Sequence, residues 1–276
     1  MAGRRAGKHA IDRRRARPEL DFVSYHTYGT DMPNAWEGVP LWSRINPVGY
    51  VLDLHALAHT VRAKAPDRPI LDTEDGVFLR GPSPFPWWQG YDEADLNETF
   101  LAANWATFTG SAAGPGLRWP ASPPYEIEFE NDVLNLGISE TQADLQLGIA
   151  RFAAHVDWTA YVPGDADGDV QSDLTDVVPM ALSDGQTLIG WLLHDTRDHD
   201  PHAIQPQVTF TGLSAGPHTV TWFDDATGDE IARQEADGTP IVVTAPTFER
   251  HIAVLVQPIG QSSPTDTQAF LPVVFK

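Results

Sequence analysis

The chain has 276 residues, no cysteine, and 18 Lys and Arg against 38 Asp and Glu, a formal net charge of −20. Seven of the basic residues fall in the first seventeen positions beside one acid, Asp12, so the remainder carries 11 basic against 37 acidic groups. That surface repels nucleic-acid phosphates and anionic membranes, the lack of thiols excludes a disulfide framework and a thiolate metal centre, and no apolar run reaches the roughly 18 residues needed to span a bilayer.

Residues 1–18 read as an unstructured basic leader with neither the apolar core of a secretion signal nor an amphipathic repeat. The run LDFVSYHTYG at 20–29 is rich in β-formers and ends in His26, Tyr28 and Gly29, with Trp36 and Trp42 in the loop beyond. Asn46 as N-cap and Pro47 at the first helical position open a helix whose Val51, Leu54, His55, Ala58 and Val61 recur at the helical period until Pro66. PILDTEDG, residues 69–76, is a buried strand that breaks into Thr73-Glu74-Asp75 and a glycine. A carboxylate at the C-terminal end of a barrel strand points into the site at the top of the barrel, which makes Glu74 the first candidate for chemistry; the alternative is a strand-end acid solvated in a loop. The following loop carries Phe78, Phe85, Trp87, Trp88 and Tyr91, either a sugar-stacking platform or aromatics that anchor the loop. A second helix, opening near Asp92, should present Leu96, Phe100, Ala103 and Phe108 on one face before Gly110. A small-residue strand then ends in Arg118 and Trp119, completing a β-α-β-α-β order.

These residues resemble the clan A glycoside hydrolases, (β/α)8 barrels that include cellulases and β-mannanases. The likeness rests on His26 with Tyr28, on Glu74 inside PILDTEDG and on Trp119, in that order on successive strand ends, and covers roughly Leu20 to Trp158. The resemblance implies that Glu74 is the nucleophile of a retaining hydrolase of β-linked polysaccharides or oligosaccharides. It implies that His26 or Tyr28 holds that carboxylate, and that Trp119 lines the sugar subsite; Trp87, Trp88, Trp36 and Tyr25 are the further aromatic candidates for contact with the sugar. A retaining enzyme needs a second, protonated carboxyl about 5–5.5 Å from the nucleophile. In this clan it follows Asn at the end of the fourth strand, and no such strand precedes residue 20. A missing N-terminal half of the barrel is therefore expected upstream, through a longer gene, a misplaced start or a partner chain, and the chain alone is expected to be inactive. The alternative is a non-catalytic module that binds carbohydrate or protein, or braces a barrel.

Ser139-Glu140-Thr141-Gln142 has the form of a capping box, and Leu145, Ile149, Phe152 and Val156 continue one helical face. After Tyr161 the period falls to two. TLIGWLLHD, QVTFTGL, HTVTWFDD, EIARQEA, IVVTAP and ERHIAVLVQ are separated by Gly-containing turn signals, the pattern of an antiparallel β-sandwich. The fold class predicted is thus α/β plus all-β. The last three βα units of a (β/α)8 barrel fill residues 19–159, a β-sandwich fills 160–259, and a linker with a short apolar tail fills 260–276.

Asp165, Asp167, Asp169, Gln171, Asp173 and Asp176 place oxygens at calcium-loop spacing, but Val170 stands where such a loop needs glycine. The departure favours a solvated acidic connector over a Ca²⁺ site. His194, Asp195, Asp198, His199, Asp200 and His202 crowd one stretch and read as a solvated loop. No other cofactor is expected. The substrate class agrees with a neutral polysaccharide met outside the cell or at its surface, where a chain without cysteine is at ease.

Overall fold

A computed structural model of the chain describes residues 22–28, 47–65, 69–76, 93–110, 117–118, 127–128, 133–134, 140–158, 161, 163–197 and 200–260. The basic leader and all but the first residue of the predicted tail lie outside them.

The first half alternates strand and helix in the predicted order: β1 (Val23–Tyr28), α1 (Pro47–Lys64), β2 (Ile70–Gly76), α2 (Glu93–Thr109) and β3 (Leu117–Arg118). β2 lies between β1 and β3 with both pairings parallel. Proline at the first position of α1 suits a helix start, because its fixed φ is helical and its missing N–H would have no partner there. One side of α1 sets Ala58, Val61 and Ala65 against Val23, Tyr25 and Ile70 of the strands. The other side carries Val51 and Leu54 into a larger apolar cluster.

α2 differs from its predicted single face. Every residue from Thr99 to Thr107 is buried, because α1, α3 (Glu140–Ala153), β8 (Val177–Ser183) and β9 (Leu188–His194) all pack on it. A helix covered on all sides is apolar all round and loses the stripe that marks a surface helix. A short hairpin, β4 (Ile127–Glu128) with β5 (Val133–Leu134), precedes α3.

The second half is β-rich. β6 (Gly164–Asp165), a 3-10 turn (Asp167–Asp169) and β7 (Val170–Ser172) precede β8 and β9. Then come β10 (Gln207–Phe210), β11 (His218–Phe223), β12 (Glu230–Ala236), β13 (Ile241–Thr244) and β14 (His251–Pro258). β9 to β14 are the six predicted strand runs. β6, β7 and β8 were not foreseen: the first two fall in the acidic stretch, and β8 carries Pro179, which cannot donate to a ladder. Proline is tolerated there because β6 pairs only with Leu182 and Ser183, leaving Pro179 a ladder on the β9 side alone.

These strands form a six-stranded antiparallel sheet, β12-β11-β14-β9-β8-β6, and a three-stranded one, β13-β10-β7. Period-two alternation divides the larger sheet between two cores. Met180, Leu182, Ile189, Trp191, Leu193, Phe223, Ala253 and Leu255 join α1, α2 and α3 in one cluster. Leu188, Leu192, Val220, Trp222, Ile252, Val254 and Val256 face Val208, Phe210, Ile241 and Val243 of the smaller sheet in another. The layers therefore run from parallel strands to helices, to the six-stranded sheet, to the three-stranded sheet.

Candidate functional site

The predicted catalytic residues occupy the ends of two adjacent parallel strands. The ladder pairs Ile70 with Val23, Leu71 with Ser24 and Asp72 with Tyr25, then skips Thr73 and resumes with Glu74 opposite His26 and Gly76 opposite Tyr28. On its other side Glu74 pairs with Leu117, and Asp75 with Arg118, the residue before Trp119. An extra residue in one strand re-aims the side chains beyond it, a device often found beside active sites. The side chains of His26, Tyr28 and Glu74 are outside those described, as are residues Trp36, Trp87, Trp88 and Trp119 altogether. Tyr25 is buried against Ala58, Val61 and Ile70 beneath α1. Asp72, opposite Tyr25 in the ladder, is buried as well.

A second group of polar side chains joins α1 to the turn after β6. His55 and His59 stand one helical turn apart and therefore share a face. His55 Nε2 lies 2.8 Å from Asp167 Oδ2 and 2.8 Å from His59 Nε2, and His59 Nε2 lies 3.4 Å from Asp167 Oδ2. These three ligand atoms all fall within 4.8 Å of one another. The outer atoms are anchored too. His55 Nδ1 donates to the Ala106 carbonyl at 3.0 Å, Asp167 Oδ1 accepts the Ala181 N–H at 2.7 Å, and His59 Nδ1 is 3.6 Å from Asp165 Oδ2. Burial alone would raise the Asp167 pKa, but the two histidines and the Ala181 N–H hold it far below the usual carboxylate range. The hydrogen bond to Asp167 raises the pKa of His59 against the opposing effect of burial. The signal in the sequence was the His-x-x-x-His spacing, of which only His55 was read, as part of an apolar face.

A third group seals α2 to the six-stranded sheet. His251, at the start of β14, sets Nε2 2.7 Å from Glu98 Oε1 and Nδ1 2.6 Å from Asp225 Oδ2, so both ring nitrogens donate to carboxylates. Asp225 also accepts from Trp191 Nε1 at 2.6 Å, and its carbonyl from Trp105 Nε1 at 3.0 Å. The two indoles stack with centroids 6.4 Å apart. Burial pulls the His251 pKa down, but Asp225 and Glu98 outweigh it and push it up to about 10. For Glu98, burial works upward, and the His251 hydrogen bond and charge together with Arg250 bring the net shift below the usual carboxylate value. These residues lie 153 and 26 positions from His251 along the chain, too scattered for any spacing rule.

The acidic stretch does not close on a single calcium ion. Asp165 and Asp167 turn to the histidines of α1, and Asp169 Oδ1 accepts from Thr211 Oγ1. Asp173 accepts the Gln207 N–H, and Asp176 faces His194. The carboxylates diverge because this segment is built into both sheets through β6 and β7, not coiled around a cation. His194 is likewise no solvated loop residue. As the last residue of β9 it is buried, with Nδ1 2.6 Å from the Glu249 carbonyl and its ring edge-on to His202. Asp195 forms an exposed pair with Arg197, and Asp198 and His199 lie outside the described residues.

No protein-family model matches the sequence, and no curated protein is significantly similar to it. Solved structures do share the fold. A structure described as a glycoside hydrolase aligns with a TM-score of 0.52 at 13% identity, over 89% of this chain and 54% of its own length. A glycoside hydrolase family 5 structure from Bacteroides vulgatus aligns with a TM-score of 0.55 at 13% identity, over 93% of this chain and 54% of its own. At that identity the likeness is one of fold, and the chain spans about half the length of the structures it matches. The mixed α/β arrangement of parallel strands, helices and antiparallel sheets is thus shared with about half the length of these two structures.

Proposed function

We propose that this chain supplies the nucleophile-bearing part of a retaining β-glycoside hydrolase. Residues 19–159 are the last three βα units of a (β/α)8 barrel, and residues 160–259 a β-sandwich that braces their helices. The observation that carries the reading is the register of β2, where the skipped Thr73 brings Glu74 opposite His26 at the C-terminal end of a parallel strand. Supporting it are the shared fold and the single open side that β1 and β3 each keep among the described strands. A parallel sheet with such edges needs further strands to satisfy its backbone groups. The upstream half of the barrel would supply them, together with the acid/base carboxyl.

In this reading the Glu74 carboxylate attacks the anomeric carbon as the proton donor protonates the departing glycosidic oxygen. Water then cleaves the glycosyl ester with net retention. His26 or Tyr28 hydrogen-bonds the carboxylate, keeping it ionised and fixing its rotamer. Trp119, Trp87, Trp88 and Trp36 stack on sugar faces. The acidic surface suits a neutral β-linked polysaccharide or oligosaccharide, encountered outside the cell.

Activated 2-deoxy-2-fluoro-β-glycosides trap such a nucleophile, because a good leaving group departs without acid assistance while fluorine slows turnover. The chain extended by its in-frame upstream sequence should gain one fluoroglycosyl group on the peptide containing Glu74 and none as Glu74→Gln. Labelling of a different carboxylate would overturn the assignment.

A further inference from the structure

We propose that His55, His59 and Asp167 hold one divalent first-row metal ion, zinc in the first instance, clasping α1 to the turn between β6 and β7. The reason is a conflict of lone pairs. The Ala106 carbonyl can only accept, so the His55 proton resides on Nδ1 and a neutral His55 turns the Nε2 lone pair inward. It meets, at 2.8 Å each, a carboxylate oxygen and the Nε2 of a second histidine. With both rings neutral and both Nε2 atoms unprotonated, three electron-pair donors converge on one spot, an arrangement that a cation relieves. A metal ion satisfies all three at once, whereas protons must be placed singly between pairs.

The surroundings are those of a metal site. Metal-binding histidines hold the remote ring nitrogen on a carbonyl or carboxylate, which fixes tautomer and orientation. Here His55 Nδ1 has the Ala106 carbonyl, His59 Nδ1 faces Asp165 Oδ2, and the Ala181 N–H orients Asp167. With ligand atoms 2.8, 2.8 and 3.4 Å apart, an ion about 2.0–2.1 Å from each stands roughly 1 Å out of their plane, leaving a fourth tetrahedral position. His55 is buried, while His59 and Asp167 are partly exposed. Two imidazoles select a borderline ion such as Zn²⁺ over Ca²⁺ or Mg²⁺, which take oxygen ligands. The ligands come from a helix packed on the parallel strands and from the strand-connecting turn of the all-β half, so the ion would tie the two halves together.

The test uses the full 276-residue chain, stripped with chelator and titrated with ZnCl₂ by calorimetry and with CoCl₂ by visible absorption. One ion per chain is expected, with Co²⁺ giving the d–d bands of a four-coordinate site. Zinc at about a hundred times its Kd should raise Tm by roughly 5–10 °C. Asp165→Asn, which alters the orienting contact to His59 and keeps an oxygen for the Asp167 N–H, should weaken zinc about 10–100-fold. His59→Gln, at a side chain less buried than His55, should abolish binding while the far-ultraviolet dichroism stays that of the wild type. Absence of stoichiometric zinc in the wild-type chain, or unaltered binding in His59→Gln, overturns the proposal.

Discussion

The parallel strands and the six-stranded sheet lie on opposite sides of the same helices, yet they are finished to different degrees. The six-stranded sheet is bordered by β12, with charged Glu230, Arg233 and Glu235 along it, and by the two-residue β6. Both are ordinary ways to blunt an edge. Among the described strands β1 and β3 pair on one side only, and β3 is two residues long. The difference teaches where structure and chemistry reside. The antiparallel half has a closed core and lends its outer face to the helices, while the half with the nucleophile candidate has edges suited to more strands.

Separating the halves should have the largest effect. Residues 160–259 expressed alone would expose Met180, Leu182, Ile189, Trp191 and Leu255, all buried against the helices in the chain. Aggregation or loss of fixed near-ultraviolet dichroism is expected. A monomer with a sharp melting transition would show instead that the all-β half is complete without them.

The buried Glu98–His251–Asp225 group sharpens the point. His251→Gln should cost about 3–5 kcal/mol, since it leaves the buried Asp225 without a cation and Glu98 with only the more distant Arg250. The raised His251 pKa makes its contribution full below about pH 6.5 and lost as pH rises through about 10. The lowered Glu98 pKa gives a contribution present above its ordinary value of 4.5 and lost as pH falls through the folded one. Denaturant titrations between pH 6 and 10 should therefore show a decline in the wild type that His251→Gln lacks.

A smaller loss is expected where α3 meets the β11–β12 turn. A Cβ at Gly148 would run into the Ala226 carbonyl, and Gly228 opposite it has φ +73°. Gly148→Ala should cost about 1–3 kcal/mol by overpacking. Arg233→Ala, which removes only an exposed pair with Glu230 on β12, should change stability by no more than about 0.5 kcal/mol in the same titrations.

Much of this fold was legible in the sequence, for reasons that differ by element. α1, α3 and β9 to β14 follow local rules: Pro47 at a helix start, a period of two, and glycine turns such as Gly185, Gly216, Gly228 and Gly238, all at positive φ. α2 was legible as a helix but not in its burial, because neighbours distant in sequence decide how many of its faces are covered. β8 was hidden by Pro179, whose tolerance depends on how far β6 extends. The strand-end residues Glu74 and His26 could be ordered from the sequence, whereas their pairing depends on a skipped Thr73 that no periodicity shows. The burial of Tyr25 under α1 was not legible, because alternation alone does not say which side of a strand the helix will cover. The histidine pair and its aspartate come from segments 112 residues apart and meet only through packing.

Whether Glu74 is the nucleophile is tested most directly by chemical rescue in this chain completed by the upstream barrel half proposed above. Replacing the nucleophile of a retaining β-glycosidase with alanine stops turnover, and azide, occupying the vacated space, attacks the substrate from the opposite face to give an α-glycosyl azide. Glu74→Ala is therefore expected to lower kcat on an aryl β-glycoside by at least about 10³-fold, with azide restoring rate and the product having the α configuration. A β-glycosyl azide would make Glu74 the acid/base instead, and an undiminished kcat would remove it from the mechanism.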